Sequence, residues 1–423
     1  MVADSAARPT VQTSVASRDI ETSNGCNAHP ENAVPVHSPT PAAMLRQRWR
    51  KTVRNFTPSW FSVNMGTGIS SILLHQLPFQ TPWLHYVSYT IFGLNVLLFC
   101  IFLGVSTVRY AMYPEIWHAM IRHPAQSLFI GTFPMALATI VNMFALACVP
   151  AWGGGSWMFV WALWWIDIAV SVATCFYLPF VIITVHALPI NNMTAAWLLP
   201  IVGTIVASAS GGIVAQVLPH PQHAEITMFT SYVLWGTGVP LAMCVLTIYL
   251  YRLTQHSVPP KEVIVSTFLP LDPSVRAGLP YRSWACSATN AGDILYIVGF
   301  LVAIVMWGFG LVWLFIALAS IVKTHRQYNG FPFNIGWWGF TFPLGVFATS
   351  TVQMAKDMPS MFSKVLGTML SLSVVLLWII VSFLTLRKAY TGTIIVAPCL
   401  ETIEAEKRAS KEEKLELEAS LDK

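Results

Sequence analysis

Ten apolar stretches follow one another along this chain, and their length decides what it can fold into. They cover residues 57–77, 85–108, 126–148, 157–186, 194–218, 226–251, 263–285, 292–322, 335–355 and 364–388. As a helix rising roughly 1.5 Å per residue, each can cross about 30 Å of hydrocarbon. Composition agrees. Of 423 residues, 55% are hydrophobic and 10% are charged, where a soluble domain carries roughly 25% charged residues. That excludes an ordinary soluble enzyme and a disordered chain. A formal charge of +5 with no clustered basic face argues against a nucleic-acid binder. The expected fold is an all-α integral membrane protein with ten transmembrane helices.

The ends read differently. Residues 1–50 are polar, rich in Ser, Thr, Ala and Pro, and lack a secretory apolar core; they read as a disordered cytosolic tail. Residues 51–390 form the ten-helix domain, and 391–423 a charged cytosolic tail with the run Lys411 to Glu416. Lysine and arginine placement sets the orientation. Arg46, Arg48, Arg50, Lys51 and Arg54 precede the first stretch. Arg109, Arg122, Arg252, Lys261, Lys323, Arg326, Arg387 and Lys388 follow even-numbered ones, whereas Lys356 and Lys364 stand out after odd ones. Both termini are therefore expected in the cytosol. Seven scattered cysteines form no C-x-x-C pair, so neither a zinc site nor a disulfide framework is expected, and no cofactor.

A repeat organises the stretches. A residue–proline pair recurs in each odd-numbered one: Thr57-Pro58, Phe133-Pro134, Leu199-Pro200, Leu269-Pro270 and Phe342-Pro343, spaced by 76, 66, 70 and 73 residues. Each unit reads as one helical hairpin, repeated five times around a central pore. Proline costs little in a first turn and kinks a helix when deeper.

The odd helices also differ in chemistry. Asn64, Gly68, Ser71 and His75 share one helical face, with Thr67 beside it. Thr204, Ser208 and Gly212 do the same on the fifth helix, and Gly345, Thr349 and Gln353 on the ninth. The third offers Met135, Ala138 or Thr139, and Asn142. Even helices carry bulk such as Trp161, Trp164 and Trp165. One small stripe reads first as close packing. Four stripes behind the same proline motif favour an inner ring lining a path. Hydroxyls, amides and helix N–H groups solvate an anion without trapping it.

Other residues keep two readings. Asp167 is either a coupling site or a buried structural hydrogen-bond acceptor. Asp272 and Arg276 are four apart and can pair, or Arg276 can attract anions. His186, His220 and His223 sit at helix ends, as pH or metal sensors or as plain loop residues. Phe133 and Phe342 precede prolines, with Phe56 and Phe268 nearby; each is a core residue or a ring that blocks a narrow path. Phe342 is the gate candidate. Gly66-Thr67-Gly68 lacks the third glycine of a dinucleotide loop, no H-E-x-x-H occurs, and no enzyme is expected.

Three segments carry a resemblance: FTPSWFSVNMGTGIS from Phe56 to Ser70, FPMALAT from Phe133 to Thr139, and WWGFTFPLGVF from Trp337 to Phe347. Over residues 50–390 the chain resembles the tellurite-resistance/dicarboxylate transporter family, to which slow anion channels belong. The resemblance implies ten helices as five hairpins around a pore, a homotrimer, and a ninth-helix phenylalanine that occludes the path. Phe342 matches that position, with Phe340 its neighbouring alternative. The branch it is most similar to implies export of sulfite or bisulfite across a fungal plasma membrane. Asp272 to Arg282 depart from the glycine-rich family pattern. A C4-dicarboxylate (malate) permease on the same fold is the nearest alternative, and would call for a fixed cation such as Arg276. A membrane receptor or scaffold is the alternative from another class, but it needs no polar inner faces.

Overall fold

The computed structural model describes residues 41–186, 189–256, 291–328, 333–358 and 360–392, with 394, 397, 398 and 400 beyond them. The chain divides into two units, Met1–Gln47 and Arg48–Lys423, and the fold below is that of the second. Regular structure among the described residues is helical. After a basic helix α1 (Pro41–Asn55) come α2 (Phe61–Gln76), α3 (Pro82–Met112) and the short α4 (Pro114–Arg122). Then follow α5 (Thr132–Met143), which continues through a wide turn into α6 (Val149–Trp152), and α7 (Ser156–Val181). The rest are α8 (Leu199–Ala215), α9 (Pro221–His256), α10 (Ala291–Tyr328), α11 (Trp338–Asp357) and α12 (Met361–Tyr390).

Nine of the ten expected stretches carry a helix, and the seventh, 263–285, lies outside the described residues together with Pro270, Asp272 and Arg276. Seven runs among the described residues are long and apolar enough to cross a membrane. The two helices that fall short are α2 and α11. With 16 residues, α2 spans about 24 Å, and α11 ends in Lys356-Asp357. Burial explains the shortfall. Every residue of α2 except His75 is buried, so this helix has no need to be apolar towards lipid.

Burial sorts the remaining helices into two groups. The Ala195–Ala215 run, which contains α8, is 89% buried, and the Ser127–Trp152 run around α5 is 67% buried. The runs containing α3, α7, α9, α10 and α12 are only 22–33% buried. Their exposed faces carry Leu97, Phe176, Phe229, Phe315 and Leu386, the surface that lipid accepts. The buried helices pack in a row, α11 on α2, α2 on α5 and α5 on α8. Outer helices back them, α3 on α2, α9 on α8 and α12 on α11, while α7 touches both α5 and α8. Without a hydrophobic force between helices in lipid, close van der Waals approach holds such a row together. A side chain added at Gly68 would run into Thr139 of α5 and Asn95 of α3, and one at Gly345 into Ile69 of α2.

One contact recurs where the inner helices begin. Arg109, at the end of α3, donates from Nε to the Arg54 carbonyl at 3.2 Å. Arg252, near the end of α9, donates from Nη2 to the Asn191 carbonyl at 3.0 Å. Lys388, near the end of α12, donates from Nζ to the Phe333 carbonyl at 2.9 Å. His186, just past α7, meets the Ile121 carbonyl through Nε2 at 2.9 Å, so that nitrogen carries the proton. In each of these four hairpins a basic side chain from the end of the outer helix clasps the backbone ahead of its own inner helix. The partners lie 55 to 65 residues apart. A cation is favoured at a helix C-terminus, and the loop carbonyl gains a partner.

Candidate functional site

The inner helices hold the polar residues singled out by sequence, and their hydrogen bonds show what each one faces. On α2, Asn64 donates from Nδ2 to the Asn95 backbone carbonyl and to Asn95 Oδ1, both at 3.0 Å. Ser71 donates to the Ser88 carbonyl at 2.9 Å, and Ser88 answers to the Ser71 carbonyl at 2.8 Å. Thr67 donates to Val63 O and accepts from Trp378 Nε1 of α12 at 3.2 Å. This stripe therefore joins α2 to outer helices. His75, at the other end of α2, meets His85 ring to ring with Nδ1 atoms 3.3 Å apart.

The other inner helices divide the same way. Ser208 of α8 donates to the Ser231 carbonyl of α9 at 2.7 Å. Thr204 and Thr349 instead return their protons to their own helices, at Ile201 O and Gly345 O. Gly212 is half-buried, and Gly211 beside it lies against Trp164 and Ser231. Asn142 of α5 is half-buried, and its Oδ1 has no hydrogen-bond partner among the described residues. Thr204 also reaches Cys175 Sγ of α7 at 3.9 Å, so Asn142 and Thr349 are the polar side chains of the predicted set not tied to a neighbouring helix by a side-chain bond among the described residues.

The prolines occupy different depths. Pro58 opens the turn ahead of α2, Pro134 is the third residue of α5 and Pro200 the second of α8. A first-turn proline forfeits no helical hydrogen bond. Pro343 lies inside α11, where its missing N–H opens the ladder next to Phe342. Phe342 is 2% exposed and Phe340 5%. Phe340 sets its ring edge-on to Trp337, and Phe133 packs edge-on to Phe61 and stacks on Phe99. Phe133 is thus committed to an aromatic cluster shared by α2, α3 and α5.

Asp167 of α7 is fully buried, and neither carboxylate oxygen has a hydrogen-bond partner among the described residues. The Ser171 hydroxyl one turn along is buried in the same condition. His223 stacks on Trp161 at 4.5 Å, and His220 packs against Trp157. Among the described residues no three His, Cys, Asp or Glu side chains gather to hold a metal ion.

Comparison with known proteins bears on what this arrangement serves. A family model described as voltage-dependent anion channel (SLAC1) matches residues 55–386. The chain belongs to that family. Among its relatives is a sulfite efflux pump SSU1 of Arthroderma benhamiae, 49% identical over 82% of this chain and 94% of the relative. The SSU1 sulfite efflux pump of Candida albicans is 30% identical over 75% and 70%. A malic acid transport protein of Schizosaccharomyces pombe is 24% identical over 82% and 80%. These are transporters and channels, not enzymes. The match spans the helices from α2 to α12, so the anion channel family accounts for the inner row together with the outer helices that clasp it.

Sequence reading missed Asn95. It is completely buried on an outer helix, accepts from Asn64 of α2 and donates to Thr139 Oγ1 of α5 at 3.2 Å. A lone amide inside the apolar run Gly93 to Phe99 was the available signal, because an unpartnered amide is costly in hydrocarbon.

Proposed function

We propose that this member of the anion channel family exports sulfite or bisulfite across a fungal plasma membrane. The single observation that carries the substrate is the 49% identity to a sulfite efflux pump over nearly the whole of that relative. The path follows the buried row of α11, α2, α5 and α8, with both termini in the cytosol and the protein assembled as a homotrimer. Asn142, Thr204, Gly212 and Thr349 line it, and Phe342 beside the interior proline is the gate. Support for the path comes from the burial contrast between inner and outer helices. Support for the orientation comes from the basic clasps at one end of every described hairpin.

The chemistry suits passage more than capture. Thr204 and Thr349 already give their protons to their own helices, so they hold an anion only weakly. A weakly solvating wall with a hydrophobic constriction lets an ion leave as readily as it enters. The experiment is flux from liposomes holding the purified protein, with sulfite and malate loaded in parallel. Sulfite efflux well above the protein-free rate, with malate retained, is the expected result. Malate efflux with sulfite retained would move the chain to the dicarboxylate transporters.

A further inference from the structure

At the end of α2 remote from the clasps, two histidines face each other. His75 is the next-to-last residue of α2, and His85 lies in the first turn of α3. Their Nδ1 atoms are 3.3 Å apart, with the rings inclined at 72° and their centres at 5.1 Å. That spacing lies at the long limit of ordinary hydrogen bonds from N–H donors, about 2.7–3.2 Å. It is also the spacing of two ligands on one ion. Two imidazole nitrogens, each about 2.0–2.1 Å from a tetrahedral zinc, stand roughly 3.3–3.4 Å apart.

The surroundings hold the pair in this geometry. The turn between α2 and α3 is short, and Gln80 fastens it. Its Nε2 donates to the His75 carbonyl at 2.7 Å and to the Leu74 carbonyl at 3.2 Å. Tyr89, one turn along α3 from His85, tilts against both rings, its centre 5.8 Å from that of His75 and 6.2 Å from that of His85. The Leu146 backbone, in the wide turn that follows α5, hydrogen-bonds the His75 ring. With Nδ1 turned to His85, this bond uses Nε2–H and directs the Nδ1 lone pair at His85. A carbonyl on the far nitrogen is what orients and fixes the tautomer of metal-binding histidines. In the metal-free pair, His85 Nδ1–H donates to His75 Nδ1. When an ion enters, His85 carries that proton on Nε2 instead, and its Nδ1 takes the second coordination position. No proton is gained or lost by the pair.

We propose that His75 and His85 bind one divalent transition-metal ion of the zinc or copper class through their Nδ1 atoms, and so fasten the end of α2 to the start of α3. Imidazole suits copper, nickel and zinc, whereas magnesium and calcium prefer oxygen. Water completes the coordination, since among the described residues no third His, Cys, Asp or Glu joins the two. Lys356, near the end of α11, acts on His75 through its charge. Two neutral ligands beside a cation make an exchangeable site and not a permanent structural centre. The site does not depend on which anion the path carries.

The test is Cu²⁺ titrated into the tag-free full chain in detergent and read by electron paramagnetic resonance. The wild type should show hyperfine structure from two imidazole nitrogens. His75→Gln and His85→Gln should each weaken that binding about tenfold or more, at least the loss that an outer partner of a metal ligand causes. His223→Gln is the control, because His220 and His223 also pack together with ring centres at 5.2 Å; it should leave the two-nitrogen signal in place. Zn²⁺ should raise the unfolding midpoint of the wild type and of His223→Gln, but not of His75→Gln or His85→Gln, because an ion that binds the folded chain alone stabilises it. A two-nitrogen signal that survives in His75→Gln and His85→Gln overturns the proposal. So does its absence from the wild type, or a Zn²⁺ stabilisation equal in all four proteins. If one of the two substituted proteins does not purify as a single species, the other carries the test alone, since each removes one of the two ligands.

Discussion

Asn95 sits inside a helix that shows Leu94, Leu97, Ile101 and Leu103 on its exposed face, yet it ties three helices together. Its removal takes the donor from Thr139 and leaves Asn64 with the backbone carbonyl of residue 95 alone. Polar contacts between membrane helices are worth about 0.6–2 kcal/mol each, so Asn95→Ala should cost on the order of 1–3 kcal/mol. The midpoint of thermal unfolding in detergent checks this, and an unchanged midpoint would mean that the network is idle. The same residues show why single positions were hard to assign from sequence. Helical spacing put Asn64, Gly68 and Ser71 on one face, which the structure keeps. Spacing does not say what that face meets. Here it meets α3, through Asn95 and Ser88. Thr349 shares a similar stripe but bonds only within α11 among the described contacts. The two cases are identical in pattern and differ only in what packs alongside.

Among the elements, the repeat was the clearest feature of the sequence, because five residue–proline pairs recur at nearly equal intervals. What the pairs do locally was not legible. Depth within a helix depends on where the helix starts, and the starts are set by turns such as Pro58–Trp60 and Ile335–Trp337. The basic residues after even helices were read as markers of orientation. Three described hairpins also use one of them, Arg109, Arg252 or Lys388, as a clasp, and a fourth uses His186, which a rule about charge and topology does not address. Arg252 is 4% exposed and holds the Asn191 carbonyl through Nε and Nη2. Arg252→Ala should therefore destabilise the protein by about 1.5–3 kcal/mol, the range for a charge-assisted hydrogen bond. Arg252→Lys should recover much of the loss, since Lys388 performs the same task in its own hairpin. Unfolding midpoints of the two variants decide this, and equal losses in both would show that the positive charge is not what closes the clasp.

At the scale of the whole molecule, the contrast between buried and lipid-facing helices follows from composition. Helices rich in Gly, Ser, Thr and Asn are cheap to bury against one another and costly to show to lipid. The helices bearing tryptophan, leucine and phenylalanine take the outside. That much was legible in the sequence. For the same reason α2 and α11, being shielded, need not meet the length and apolarity of a lipid-facing span. A cavity ahead of α2 and α11 was invisible in the sequence, because it gathers residues from positions 57 to 398 that no local pattern connects.

The central claim is that the inner row encloses an anion path closed at Phe342. Sulfite efflux from liposomes carrying Phe342→Ala tests it most directly, with the unfolding midpoint measured on the same preparation. A ring that merely fills the core would cost about 3–5 kcal/mol when removed and would open nothing. A ring that closes a path gives way to conduction. The account predicts sulfite flux at least tenfold above wild type from a protein that still unfolds cooperatively. Flux at or below the wild-type rate, with a midpoint lowered as for a core cavity, would contradict it.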